Sequence, residues 1–67
     1  MSMLKIIEVL AESEKSWEDA ARTAVANAGE TLRGIKSINI ENFQATVADG
    51  KIKTFRVNAK ISFMLDR

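Results

Sequence analysis

Residues 55–65 read Phe-Arg-Val-Asn-Ala-Lys-Ile-Ser-Phe-Met-Leu. Phe55, Val57, Ala59, Ile61, Phe63 and Leu65 alternate with Arg56, Asn58, Lys60, Ser62 and Met64. A period of two held over this length predicts a long β-strand with one dry face and one mostly polar face. The rest of the chain has to supply whatever keeps the dry face dry.

Upstream, Ala48-Asp49-Gly50 marks a turn, and Ile35 to about Val47 reads as the partner strand. Its pattern slips once, because Ile38 and Ile40 share one phase whereas Phe43, Ala45 and Val47 share the other. A β-bulge near Glu41-Asn42 restores the facing. A three-residue loop closed by a left-handed Gly50 would set Phe43 opposite Phe55, Ile40 opposite Val57 and Ile38 opposite Ala59. A two-residue Asp49-Gly50 turn would set Phe43 opposite Arg56 and scatter the apolar positions, so the three-residue loop is the expected one.

Further upstream, Ser16-Trp17-Glu18-Asp19 predicts a helix start. The Ser16 hydroxyl is placed to accept from the Asp19 amide while the Asp19 carboxylate reaches back, as in a capping box. The helix is expected to run to about Arg33, with Gly34 as its left-handed stop. Trp17, Ala21, Ala24, Ala28 and Leu32 form its apolar stripe with Val25 beside it, and Glu18–Arg22 is an (i, i+4) pair on the outer side. A stripe made mostly of alanine lets a helix lie close on a sheet. Before the helix, Met3 to Ala11 reads as a first strand, with Glu12 to Lys15 as a polar turn. Apolar residues on both of its faces, Ile7 and Val9 against Leu4, Ile6 and Leu10, call for a cover on each side.

The order is strand, helix, strand, strand, an α+β arrangement in one domain over residues 1–67. A right-handed crossover makes the first two strands parallel, leaving the third to lie between them, antiparallel to both. Strands of about 13–15 residues span ~43–50 Å. A helix of roughly 18 residues spans only ~27 Å. The hairpin therefore outruns its helix, and either Phe43, Ala45 and Val47 or Ile61, Phe63 and Leu65 must find a cover elsewhere. Other copies of the same chain are the simplest cover.

Composition agrees. A lone core in a chain this short supplies only ~3–5 kcal/mol, so small domains lean on disulfides, metals or oligomerisation. With no cysteine and no histidine among 67 residues, the first of these is absent, as are zinc sites and Cys/His nucleophiles. A net charge of +1 with both signs interspersed gives no footprint for nucleic acid. No apolar run approaches the ~18 residues of a membrane span, and the N-terminus has no leader pattern, so the chain is expected to be cytoplasmic and unprocessed.

Taken together, Ile6-Ile7-Glu8-Val9-Leu10, Ser16-Trp17-Glu18-Asp19-Ala20-Ala21, Glu30-Thr31-Leu32-Arg33, Asp49-Gly50, Phe55-Arg56-Val57 and Ile61-Ser62-Phe63 resemble the dodecins, in order and without gaps. The resemblance implies a three-stranded antiparallel sheet partly wrapped around one helix, with twelve subunits forming a hollow shell. It also implies that flavin-type molecules, riboflavin or FMN, are held at subunit contacts for storage or sequestration, with no reaction catalysed. In the flavin-binding branch a tryptophan early in the second strand stacks on the ring, and a glutamine in the third strand bonds its edge. Those positions fall on Ser37 and Arg56, the two candidate cofactor-binding residues here.

Ser37 offers no π-surface, and losing a stacking ring forfeits roughly 1–3 kcal/mol by analogy with nucleobase binding. Arg56 offers a cationic fork suited to carboxylate or phosphate. Flavin affinity is thus expected to be weak. The alternative is a flavin-free shell binding a metal ion such as calcium or a phosphate-bearing cofactor, its metal ligands unassigned by sequence. For Arg56 the plainest role is an ion pair at a subunit contact, with Glu41 or Glu8 as partner.

Overall fold

The computed structural model describes residues 3–65. The elements are β1 (Leu4–Ser13), α1 (Trp17–Gly29), β2 (Ile35–Ala48) and β3 (Lys51–Met64). The sheet order is β1-β3-β2, with β3 antiparallel to both neighbours. The expected β-α-β-β fold with its last strand in the middle is what the chain adopts.

On β3 the alternation reads directly as burial. Val57, Ala59 and Ile61 are completely buried, and Phe63 nearly so, on the face beneath α1. Helix α1 lies over β1 and β3 and touches β2 least. Its buried residues are Ala20 and Ala24, one turn apart, both small enough to bring the helix axis close to the sheet. The expected stripe held Ala21 and Ala24 but not Ala20; Ala24 is buried as expected, whereas Ala20 is buried and Ala21 only half-buried.

The helix begins as expected, with Ser16 Oγ accepting from the Asp19 amide at 2.9 Å. The reciprocal arm differs. Asp19 Oδ2 accepts from the Ser13 hydroxyl at 2.7 Å, and Ser13 Oγ in turn accepts from the Lys15 amide at 2.9 Å and the Ser16 amide at 3.4 Å. The short Asp side chain binds the end of β1 instead of its own cap. This also carries β1 two residues past Ala11, to a buried Ser13.

The helix ends at Gly29, four residues before the expected Arg33. Glycine costs about 1 kcal/mol relative to alanine inside a helix, and here it coincides with the loosening. The amides of Thr31 and Leu32 both close onto the Ala28 carbonyl, at 3.2 and 2.8 Å, before the chain straightens. Gly34 is left-handed, φ 71°, at the entry to β2, where its carbonyl accepts from the Met64 amide at 2.9 Å. Glu18–Arg22 is not among the ion pairs of the described residues.

The hairpin corrects the expected register. Asp49 and Gly50 have φ of 54° and 75°, and Ala48 pairs with Lys51, so the turn has two residues. Both positive values fit the twist of the flanking strands. A second irregularity, between Thr46 and Val47, rescues the facing: Val47 pairs with Ile52 and Thr46 with Thr54, leaving Lys53 as an extra residue on β3. The anticipated bulge at Ile40/Asn42 is present. The outcome is Phe43 opposite Val57, Ala45 opposite Phe55, Ile40 opposite Ala59 and Ile38 opposite Ile61. Apolar meets apolar throughout, by a bulge instead of a longer loop.

At 1.5 Å per residue α1 covers ~20 Å, while the molecule extends 51 Å along its longest axis. Trp17 ends the covered zone. Its ring meets Phe55 and Phe43 edge-on, at centroid distances of 4.9 and 5.8 Å, and its Nε1 donates to the Gln44 carbonyl at 2.7 Å. Beyond it Phe43, Val47 and Ile52 remain 63, 66 and 56 % exposed. Of the two sets that length alone left competing for cover, Ile61 and Phe63 are sheltered by α1 and the Phe43–Val47 end is not.

Candidate ligand face of the sheet

The face of the sheet away from α1 is built in rows by the two registers. Ile6, Ser62 and Ser37 form one row; Glu8, Lys60 and Asn39 the next; then Leu10, Asn58 and Asn42; then Glu12, Arg56 and Gln44. The β2 and β3 columns are polar, whereas β1 adds exposed Leu4, Ile6 and Leu10. Strand alternation alone produces this face, since every inward apolar residue of β3 forces an outward neighbour.

Ser37 is exposed and shares a 2.6 Å hydrogen bond with the Ser62 hydroxyl. Arg56 Nε donates to Glu12 Oε1 at 2.6 Å, an ion pair in which both side chains are well solvated. Within one chain the partner is Glu12, and the expected pairing with Glu41 or Glu8 concerned a contact between copies. Glu41 instead lies 4.0 Å from Lys60 and accepts from Asn39. Ser62 and Glu12 are the residues that sequence reasoning missed. The expected register set Ser37 opposite Lys60, which hid Ser62, and ending β1 at Ala11 left Glu12 in a turn.

Ser37 and Arg56 share the face but not a site. Their rows are six β3 residues apart, ~20 Å at strand spacing. One chain cannot bring them to the same small molecule; a contact between copies could. The fit to a stacked flavin is poor, because no aromatic side chain stands in the Ser37 row and the Ser37 hydroxyl is already bonded. Calcium takes six to eight oxygens. Among the described residues no three acidic side chains converge. No helix of the described residues is long and apolar enough to cross a membrane.

Comparison with known proteins identifies the family. The Dodecin family model matches residues 3–66. A curated relative, the calcium dodecin of Mycobacterium tuberculosis, is 36% identical over 97% of this chain and 92% of its own. The crystal structure of that calcium-chelating dodecin, with its calcium-binding site, covers 97% of this chain and 93% of its own at 32% identity and a TM-score of 0.84. The dodecin from Streptomyces coelicolor covers 98% of this chain and 94% of its own at 26% identity, with a TM-score of 0.95.

Proposed function

Since the chain belongs to the dodecin family, we propose that it is a cytoplasmic, non-enzymatic homododecameric shell that binds and sequesters a small molecule at its subunit contacts. The observation that carries this is the apolar surface one subunit leaves bare. Leu4, Ile6 and Leu10 on one face and Phe43, Val47 and Ile52 on the other are each more than half exposed. Soluble proteins rarely leave so much apolar surface uncovered, and a single core in a chain this short is marginal. Without histidine or cysteine, the chain has no recognisable nucleophile and base pair.

The ligand positions are Ser37 and Arg56, brought together across copies, and the ligand is of flavin type held weakly. Sedimentation or native mass spectrometry should find twelve subunits, and a stably folded monomer at low concentration would end the proposal. Titration with riboflavin or FMN should quench their fluorescence only weakly. Ser37→Trp combined with Arg56→Gln should tighten binding at least tenfold, and an unchanged affinity would show that these residues do not mark the site.

A second reading has a specific observation behind it: the 36% identical relative is named for calcium. On that reading acidic side chains from several copies share the ion. Isothermal titration with Ca²⁺ against a Mg²⁺ control decides it. Saturable heat with calcium alone supports this reading, and none with either ion removes it.

A further inference from the structure

We propose that Asp49, at the tip of the β2–β3 hairpin, is a site of spontaneous backbone modification, and that the fold steers this chemistry toward D-aspartate. Among the described residues Asp49 is the one residue other than glycine with a positive φ, 54°. In that conformation the Cβ of an L-residue crowds the following carbonyl oxygen. Asp49 is exposed, and it is not among the hydrogen-bonded or paired carboxylates of the described residues, which are Asp19, Glu41 and Glu12.

The next residue opens the reaction. An aspartate closes a five-membered succinimide ring when the following amide nitrogen attacks its side-chain carboxyl carbon. A side chain on that following residue hinders the approach. Gly50 has none, and nothing lies within 4 Å of where its Cβ would stand. Ala48 and Lys51 pair with each other across the turn, which leaves the Gly50 amide outside the ladder. Asp19, Asn27, Asn39, Asn42 and Asn58, the other residues with this chemistry among those described, are each followed by a residue with a side chain.

On ring closure a new N–C bond forms, the carboxyl C–O bond breaks, and the hydroxyl leaves with the amide proton as water. In the ring the Asp49 Cα proton is acidic enough to exchange with water, so the centre is rebuilt in either hand. Water then opens the ring. Addition at the side-chain carbonyl restores aspartate; addition at the backbone carbonyl gives isoaspartate, whose main chain is one carbon longer. No enzyme or co-reactant other than water takes part.

The turn discriminates among these products. It closes the Ala48–Lys51 pair with two residues, both at positive φ. Isoaspartate makes that connection one carbon too long. L-Aspartate fits it only in the disfavoured left-handed conformation. For D-aspartate positive φ is the favoured region, and D-residues suit this kind of turn. The left-handed penalty corresponds to a population ratio of about 5–30-fold in favour of the D-form, once the centre equilibrates.

Two experiments on the full chain test this. Total synthesis supplies Asp49→D-Asp and Asp49→isoAsp beside the unaltered sequence. The D-form should melt above the unaltered chain and the isoaspartyl form below it; a D-form melting at or below the unaltered chain would overturn the proposal. In the second, recombinant protein is aged at neutral pH, either folded or held unfolded in guanidinium chloride. After digestion, residue 49 is scored by chiral amino-acid analysis and by isoaspartyl methylation. D-Aspartate should exceed isoaspartate in the folded sample, whereas isoaspartate should dominate in the unfolded one. The same product ratio in both samples counts against steering by the fold. A folded sample unchanged at residue 49, while the unfolded one converts, removes the site altogether.

Discussion

On β3, Ile61 is sealed beneath α1, whereas Ile52, on the same face of the same strand, stands more than half exposed. The residue type, the strand and the side of the sheet are shared. What differs is the opposite layer, since α1 stops near Trp17 and the hairpin does not. Burial here is therefore set by the reach of a 13-residue helix and not by the hydrophobic pattern. One half of the sheet is a core, and the other half is apolar surface offered to something else.

The sharpest way to break that comparison is to truncate both isoleucines. Ile61→Ala should cost about 2–5 kcal/mol, as core truncations do. Ile52→Ala should leave each subunit folded and act chiefly on assembly. Chemical denaturation at several subunit concentrations separates them, because a midpoint that rises with concentration reports association: Ile52→Ala should flatten that rise, and Ile61→Ala should lower the midpoint at every concentration. Equal losses at every concentration would erase the distinction between the halves.

A second test stays within the covered half. Ala20→Leu should overpack the contact with the sheet and cost ~1–3 kcal/mol. Ala28→Leu points toward an open groove between β1 and α1 and should cost clearly less. A thermal melt that ranks them the other way would mean the helix is rotated from the position described.

Smaller effects probe the turns. Gly34 and Gly50 are both left-handed, but a Cβ at Gly34 would lie 3.2 Å from the Met64 Cβ, while at Gly50 it would meet nothing within 4 Å. Alanine at either should cost ~1–2 kcal/mol for the backbone conformation, with Gly34→Ala the worse of the two by melting temperature. Smallest of all, Glu12→Ala removes a solvated ion pair and should shift stability by no more than ~1 kcal/mol. A larger loss would show that Glu12 carries weight in a contact between copies.

Much of this was legible from sequence. Strict alternation from Phe55 to Leu65 located the central strand, and the phase slip between Ile40 and Phe43 located a bulge that is there. Two errors had one cause each. The hairpin register was misjudged because a second bulge, at Lys53, leaves no mark in a stretch with polar residues on both sides. The helix was drawn too long because Gly34 was taken as the stop, when Gly29 ends it. The site was legible only as a face. Ser37 and Arg56 do lie on the same side of the sheet, but their partners Ser62 and Glu12 depended on register and strand length. On the proposed assembly, what lies across from that face is a second copy, whose residues a single chain's pattern does not place.

The central position of β3 has a consequence for how the protein is made. β1 and β2 are not neighbours in the sheet, so each waits for a strand that comes last among the four elements. While Lys51–Met64 is still inside the ribosome, the emerged polypeptide is a short helix flanked by two unmatched extended segments, one with apolar residues on both sides. Such intermediates are prone to stick to one another. Completion is necessarily a late event, and a polysome crowded with siblings is where this chain is most exposed to pairing with the wrong neighbour.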